Sequence, residues 1–261
     1  MSWPALPARE RDIVELVRST GHVAIDTLAQ RFSVTPQTIR RSVNQLCELG
    51  LLRRVHGGVD VPGGHGNLPY QRRQVLNLAA KQRIASAVAA FIPDGASVSI
   101  GLGTTPEQVA LALRGHQGLK VLTNSVNVIN ALAGAPLASL AIAGGTLRRS
   151  DLDIVGSAAV AFFSAFKTDY AVFGVGGIDR DGSLLDFHPD EVAARQAMAA
   201  NSRCTVLVAD ASKFGRNAVA RGGRLGDMDH LFTEHALPGD YAEALGCGDT
   251  TVHLGATEGA R

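Results

Sequence analysis

The 261-residue sequence predicts an α/β fold in two parts: a small helical front end closed by a hairpin, then a larger body of alternating strands and helices. Three observations carry that expectation. Apolar residues recur at helical spacing in short runs before Gly50, and apolar residues then flank Gly57-Gly58 on both sides. From Ser97 onward, short apolar runs alternate with helical patterns, as repeated βα units of a mainly parallel sheet require. Charge is divided in the same way. Residues 1–75 hold ten Lys+Arg and six Asp+Glu, net +4, and the remainder holds fifteen and eighteen, net −3. A basic front end on an acidic body suits a nucleic-acid-binding module joined to a different domain.

Composition narrows the classes further. Hydrophobic residues at 46% supply a sizeable core, and aromatics at 5% argue against a base-stacking, single-strand-binding surface. Cys47, Cys204 and Cys247 are too few and too scattered for a disulfide framework or a zinc site, which fits a reducing cytoplasm. Met1 to Arg11 lacks an apolar core of signal-peptide length, and no run approaches the ~20 apolar residues of a membrane span.

In chain order, Pro7 to Ser19 predicts a first helix with Ile13, Val14, Leu16 and Val17 inward. A short strand-like Val23-Ala24-Ile25 follows, then a helix from Leu28 to Phe32 capped by Asp26 or Thr27, then a tight turn at Ser33-Val34. Thr35 and Pro36 open the next helix: a threonine hydroxyl accepts from the first-turn N–H groups, and proline at the first helical position loses no needed donor. Ile39, Val43, Leu46 and Leu49 form its buried stripe. Gln37, Thr38, Arg40, Arg41, Asn44 and Gln45 face the other way, and such side chains bond base edges and phosphates. Two helices joined by such a turn predict a helix-turn-helix over about residues 23–42. The hairpin of Leu51 to Val61 reads as a wing, with Arg53, Arg54 and His56 reaching phosphates or the minor groove. The expected domain is therefore a winged helix-turn-helix over 6–61, with Thr35, Gln37, Thr38, Arg40, Arg41, Asn44, Arg53, Arg54 and His56 as its DNA-binding set.

Residues 62–73 read as a linker, from the run Pro62 to Asn67, and residues 74–250 as a Rossmann-like α/β domain. Tyr70 to Ile92 predicts one long helix. Strands are predicted at Ser97–Ile100, Lys120–Leu122, Leu137–Ala143, Tyr170–Val175, Thr205–Ala209 and Leu231–Thr233, with an edge strand at Thr251–Leu254. Helices are predicted at Glu107–Leu113, Val126–Ala133, Ser157–Phe166 and Glu191–Ala200. Ligands in such sheets sit at the carboxyl ends of the strands.

Those ends carry the chemistry. Gly103-Thr104-Thr105-Pro106 follows a strand and opens a helix, so free N–H groups, the helix dipole and two hydroxyls favour an anion, phosphate above all. The loop lacks the Lys-Ser/Thr ending of a Walker loop and the spacing of a dinucleotide fingerprint. Thr123-Asn124, Gly144-Gly145 and Asp210-Ala211-Ser212-Lys213 end other strands, and Lys213 is the cation among these loops. Lys81 is a weaker candidate, because a lysine in such a helix is more often a surface residue. Asp179, Asp181, Asp186, Asp190 and Glu191 would bind sugar hydroxyls, act as acid and base, or serve as solvated and capping residues. Arg216 and the run 221–224 stay open between an interface and phosphate contacts. No metal-ligand spacing and no catalytic triad stands out.

The run Val34 to Arg41, with Leu51 to Gly58, resembles the winged helix-turn-helix of the DeoR family of bacterial transcription regulators. Gly103 to Glu107, Gly177-Ile178-Asp179 with Asp181 to Leu185, and Ser212 to Ala218 resemble that family's sensor domain, a fold similar to ribose-5-phosphate isomerase and CoA transferases. The resemblance implies a non-enzymatic repressor, without cofactor or metal, released from double-stranded operator DNA by a phosphorylated small metabolite. Glycerol 3-phosphate is the foremost candidate effector and another sugar phosphate the alternative. It also implies a homo-oligomer and places the phosphate site on Gly103, Thr104 and Thr105, with Lys213 and, more weakly, Lys81 as partners. Ser42 departs from the family's usual acid after the paired arginines, and Ala80 from its glutamate before the lysine. The rival is a sugar-phosphate isomerase with a base among Asp186, Asp190 and Glu191; a recognition helix argues against it, since an isomerase needs none.

Overall fold

The computed structural model describes residues 6–20, 23–55, 58–60, 68–237, 239–245 and 249–255. The chain divides into two compact units, 1–68 and 69–261.

The first unit contains α1 (Ala8–Thr20), β1 (Val23–Ala24), α2 (Ile25–Arg31), α3 (Pro36–Glu48), β2 (Arg53–Val55) and β3 (Gly58–Asp60). Its strands form an antiparallel sheet in the order β1-β3-β2, with Val55 opposite Gly58, so the expected wing forms. The core joins Ile13 and Val17 of α1, Leu28 of α2, and Ile39, Val43 and Leu46 of α3 to Leu52 and Val59. Thr35 caps α3 as expected, its Oγ1 accepting from the Thr38 N–H at 3.3 Å, with Pro36 at the first helical position. The helix ends on paired bonds from Gly50 N–H to the Cys47 carbonyl (2.9 Å) and from Leu51 N–H to that of Leu46 (2.8 Å), which turn the chain toward the wing. One expectation fails. α2 begins at Ile25 rather than Leu28, its cap position is Ala24, and no side chain caps it; Asp26 sits inside the first turn, where the dipole favours an acid.

The second unit opens with α4 (Tyr70–Val75) and α5 (Leu78–Phe91). The single helix expected over 70–92 is therefore broken. Asn77 takes a left-handed conformation (φ 53°), which asparagine tolerates better than most residues, and its Nδ2 donates to Asp210 Oδ1 at 3.1 Å. There follow β4 (Ser97–Ile100), α6 (Thr104–Ala112), β5 (Lys120–Thr123), α7 (Val126–Leu132), β6 (Ser139–Ile142), α8 (Ser157–Ser164), β7 (Thr168–Phe173), β8 (Gly177–Ile178), β9 (Ser183–Asp186), α9 (Pro189–Ala200), β10 (Ser202–Val208), β11 (Ala220–Arg224), β12 (His230–Thr233), α10 (Asp240–Leu245) and β13 (Thr251–Leu254).

Seven strands form one parallel sheet in the order β6-β5-β4-β7-β10-β12-β13. The order runs outward in both directions from the β4/β7 pair. This is the doubly wound pattern, whose crevice lies where the order reverses, beyond the carboxyl ends of β4 and β7. Alternate strand residues feed opposite layers. Val121, Val172, Val206 and Val208 pack with α5, α6 and α7, whereas Leu122, Ala171, Phe173 and Leu207 pack with α8 and α9. A second, antiparallel sheet, β11-β9-β8, was not expected from the sequence. Its strands are short and carry Arg221 and Arg224, so they read as charged loops. Among the described residues, no helix is long and apolar enough to cross a membrane.

Candidate functional site

On the first unit, Thr35, Gln37, Arg40, Arg41 and Asn44 are exposed on α3, and Thr38 is half-buried beside the Thr35 hydroxyl at 2.9 Å. Arg53 and Arg54 are exposed on β2. The Arg54 guanidinium donates to Asn44 Oδ1, so the wing and α3 are joined through two residues of the expected DNA-binding set. His56 lies outside the described residues. Ser42 is buried, 4% exposed, and its Oγ donates to Glu10 Oε1 at 2.7 Å. That bond locks α3 onto α1. Burial alone would raise the Glu10 pKa, but the Ser42 hydroxyl, its own backbone and Arg9 outweigh it and hold the carboxyl below its usual value.

On the second unit, the β4–α6 loop lies at the sheet's switch point. Gly103 has φ 119°, a conformation that needs glycine, and it releases the chain into α6 with Thr104 and Thr105 buried in the first turn. Lys213 stands on a short turn after β10. Asp210 caps that turn, accepting from the Ser212 N–H at 3.0 Å. Lys81 reaches in from α5; its Nζ donates to the Arg73 and Leu76 carbonyls, the latter at 2.6 Å. Two further cations join them. Arg216 lies over the Phe187 ring (4.9 Å) and donates to the Gly176 carbonyl at 3.2 Å, and Arg73 is salt-bridged to Asp151.

These charges act on one another. Burial, then Arg216, with Arg73 and Lys81 adding, pulls Lys213 down to about 7 against the opposing pull of Asp210. Lys81 falls to about 8, through burial first and then Arg73 and Arg216 against Asp210 and Glu107. Burial and Arg73 lower Arg216 as well. Burial would raise Asp210, but Lys213, Ser212, Lys81 and Asn77 outweigh it and keep it low and charged. Four crowded cations, of which Arg73 is paired with Asp151 and the others share Asp210, lie beside a helix N-terminus and form a site with an excess of positive charge.

Gly177 makes part of this geometry possible, since a Cβ there would fall 1.9 Å from the Arg216 carbonyl oxygen. That close approach is the physical content of the Gly177-Ile178-Asp179 motif.

The other expected residues sort by place. Thr123 and Asn124 are buried at the end of β5. The Thr123 hydroxyl accepts from Ser125 N–H at 3.1 Å, and Asn124 Nδ2 donates to the Ile154 carbonyl at 2.8 Å. Asn124 Oδ1 is buried with no hydrogen-bond partner among the described residues. Asn124 lines a cavity of about 20 Å³, room for about one water, together with Gly101, Asp186, Glu191 and Arg195. Gly144 and Gly145 lie exposed beyond the edge strand β6, where Gly145 faces Ala158 and Ile154 rather than the cations.

Of the acidic group, Asp186 and Glu191 are not solvated. Asp186 Oδ2 accepts from Arg195 at 2.9 and 3.1 Å, and burial pushes its carboxyl up against that arginine's pull. Glu191 accepts from Arg148 at 2.6 Å, and Arg148 also holds the fully buried Asp153 at 2.8 Å. Sequence reasoning missed Arg73, Arg148 and Arg195; Arg73 meets Asp151 and Arg148 meets Glu191 across long stretches of chain, whereas Arg195 and Asp186 are nine residues apart but sit on different elements, α9 and β9. Among the described residues, no three His, Cys, Asp or Glu side chains group to hold a metal.

Comparison with known proteins identifies both units. Residues 9–63 match the DeoR-like helix-turn-helix domain and residues 76–235 the DeoR C-terminal sensor domain. The chain is 42% identical to the glycerol-3-phosphate regulon repressor of Escherichia coli K12 over 237 residues, covering 91% of this chain and 94% of that one. It is 43% identical to the repressor of the same name from Haemophilus influenzae, over 91% of each chain. Among solved structures, ribose 5-phosphate isomerase A of Methanocaldococcus jannaschii aligns over 53% of this chain and 55% of that one, at 13% identity and a TM-score of 0.39. Two family domains in order, with relatives matched along nearly their whole length, make this chain a member of the DeoR family of transcription regulators.

Proposed function

We propose that the chain is a transcriptional repressor that leaves its operator when glycerol 3-phosphate binds the second unit. The observation that carries the effector half is the cation cluster of Lys81, Lys213 and Arg216 beside the start of α6. A phosphate monoester carries about −1.5 to −2 charges at pH 7, which suits a site with excess positive charge and free first-turn N–H groups. Gly103, Thr104 and Thr105 then hold phosphate oxygens, with Lys213 and Lys81 as charge partners. The cavity at Asn124, with room for about one water, suits a single hydroxyl of the polyol, which supplies the donor that Asn124 Oδ1 lacks. The names of the relatives point to the same metabolite.

On the DNA side, Gln37 and Thr38 read base edges, while Arg40, Arg41, Arg53 and Arg54 hold phosphates. One such module reads few base pairs, so the working form is a homo-oligomer, at least a dimer, on repeated half-sites in the cytoplasm. Release follows from linkage: the effector binds the DNA-free state more tightly. Fluorescence anisotropy on DNA flanking the gene, with glycerol 3-phosphate, ribose 5-phosphate and inorganic phosphate as separate arms, tests it. Operator release at the lowest concentration of glycerol 3-phosphate is expected. Equal operator affinity throughout that titration overturns the effector assignment, and release by ribose 5-phosphate at lower concentration transfers it to a longer sugar phosphate.

A further inference from the structure

The short helix α4 opens the second unit and is bound to the anion site through Tyr70, Arg73 and Gln74. Tyr70 Oη donates to Glu107 Oε2 at 2.9 Å, and Gln74 Nε2 donates to both Glu107 oxygens at 3.0 and 3.1 Å. Glu107 sits in the first turn of α6, just beyond Gly103 to Thr105. Burial and that carboxylate push the Tyr70 phenol upward, so it stays a donor. Arg73 stacks on the Tyr70 ring, 5.1 Å from its centroid, and is salt-bridged to Asp151. From the opposite side, Lys81 grips the carbonyls at the end of α4, and the left-handed Asn77 just beyond it holds Asp210.

Arg73 thus stands with its guanidinium between two demands. Asp151 neutralises it, yet its charge still presses on Lys213, Lys81 and Arg216. A like charge added to such a cluster is costly in the empty site and becomes favourable once an anion enters. Guanidinium matches phosphate oxygens in bidentate geometry better than a point charge does.

We propose that Arg73 is a further ligand of the effector phosphate, exchanging the Asp151 carboxylate for phosphate oxygens on binding, and that α4 carries the change toward the DNA-binding unit. The proposal rests on the phosphorylated-effector reading above. α4 begins at Tyr70, two residues after the first unit ends at Leu68, so it is the helix of the second unit nearest in the chain to the DNA-binding unit. Asp151 is the competitor that sets how much of the binding energy the exchange uses, and the Glu107 bonds decide whether α4 moves as a body.

Calorimetry on the full chain, with glycerol 3-phosphate and with inorganic phosphate, tests this through two variants expected to move oppositely. Arg73→Gln should weaken both ligands by at least about tenfold, the loss of one charge-assisted contact. Asp151→Asn should bind both severalfold more tightly, because Arg73 is released from its competitor. At saturating effector, Arg73→Gln should also retain more operator affinity than wild type. Thermal unfolding accompanies each variant, so that a folding defect is recognised. Equal affinity in wild type and both variants overturns the proposal alone. So does weakening in both variants, which marks the Arg73–Asp151 pair as purely architectural. Wild-type protein that binds neither ligand overturns the effector reading, and this inference with it.

Discussion

Raising the pH from 7 to 9 should weaken effector binding while strengthening the empty protein, and Lys213 is the reason. Its ammonium is depressed to about 7 by burial, by Arg216, Arg73 and Lys81, against the pull of Asp210. A phosphate in the site needs that ammonium charged. In the free protein about half of the molecules carry the charge at pH 7, about one in eleven at pH 8 and about one in a hundred at pH 9. Protonating Lys213 on binding therefore costs about fivefold in affinity between pH 7 and 8, and about ninefold more between 8 and 9. Lys81, at about 8, titrates in the same range and brings the first step to about tenfold if both must be charged. Below about pH 6 the phosphate monoester itself gains a proton, so affinity peaks between about 6 and 7.

The stability effect has the opposite sign. A lysine depressed in the folded state costs stability fully below about pH 7, where folded and unfolded chains are both protonated. That cost is relieved as pH rises from 7 toward the ordinary value of 10.5. Calorimetry with glycerol 3-phosphate at pH 7, 8 and 9, in buffers of different ionisation enthalpy, should show proton uptake approaching one per ligand at pH 8 from Lys213 alone, or about 1.4 at pH 8 and nearly two at pH 9 if Lys81 participates. Lys213→Met should bind weakly at pH 7 and lose most of the pH slope up to pH 8. Affinity independent of pH across this range in wild type, or a slope unchanged by Lys213→Met, refutes the argument that Lys213 meets the anion.

Three further outcomes follow from single contacts. Ser42→Ala removes the hydrogen bond to the buried Glu10 and should cost about 1–3 kcal/mol in urea unfolding; Ser42→Asp, which sets a like charge beside Glu10, should cost more. Gly177→Ala drives a methyl into the Arg216 backbone and should lower stability by about 1–3 kcal/mol or more, with loss of phosphate affinity because Arg216 moves. Arg41→Ala should weaken operator and unrelated DNA alike and lower the salt slope by about one; relaxed preference at one base position would instead make Arg41 a base reader.

Local patterns were legible in the sequence wherever one residue type has one physical use. Thr35-Pro36 marked the start of α3 because capping and the missing proline donor are local facts. Ser97 to Ile100 and the other core strands were visible as apolar runs, and Gly103 to Thr105 as a turn from strand to helix. What escaped was set by partners on other elements of the fold. The break at Asn77 depends on Asp210, the state of Asp186 on Arg195 and of Glu191 on Arg148, and the small sheet on pairing between β9 and β11. Ser42 shows the same limit from the other side. Its departure from the family's acid was visible, but the buried Glu10 that receives its hydroxyl became known only from the packing of α1 on α3.

The arginines that escaped also bear on why such a site can sense without consuming what it binds. The acids lining the Asn124 cavity are the groups that would have to remove a proton from a bound sugar. Each is engaged: Asp186 by two bonds from Arg195 and one from the Gly176 N–H at 2.8 Å, and Glu191 by Arg148 at 2.6 Å. Protonating a carboxylate so held weakens a buried ion pair, and breaking such a pair by removing a partner costs about 3–5 kcal/mol. The ligand is then read rather than converted, and operator occupancy reports its concentration through equilibrium alone. Under that condition the reach of the switch is bounded by the difference in effector affinity between the two states, about 5.5 kcal/mol for a shift from 1:99 to 99:1. On the proposed reading, Lys213, Lys81 and Arg216 are the charges through which the effector contributes to that difference. Neutralising Lys213 should therefore shrink the effector-driven change in operator affinity while leaving effector-free repression intact.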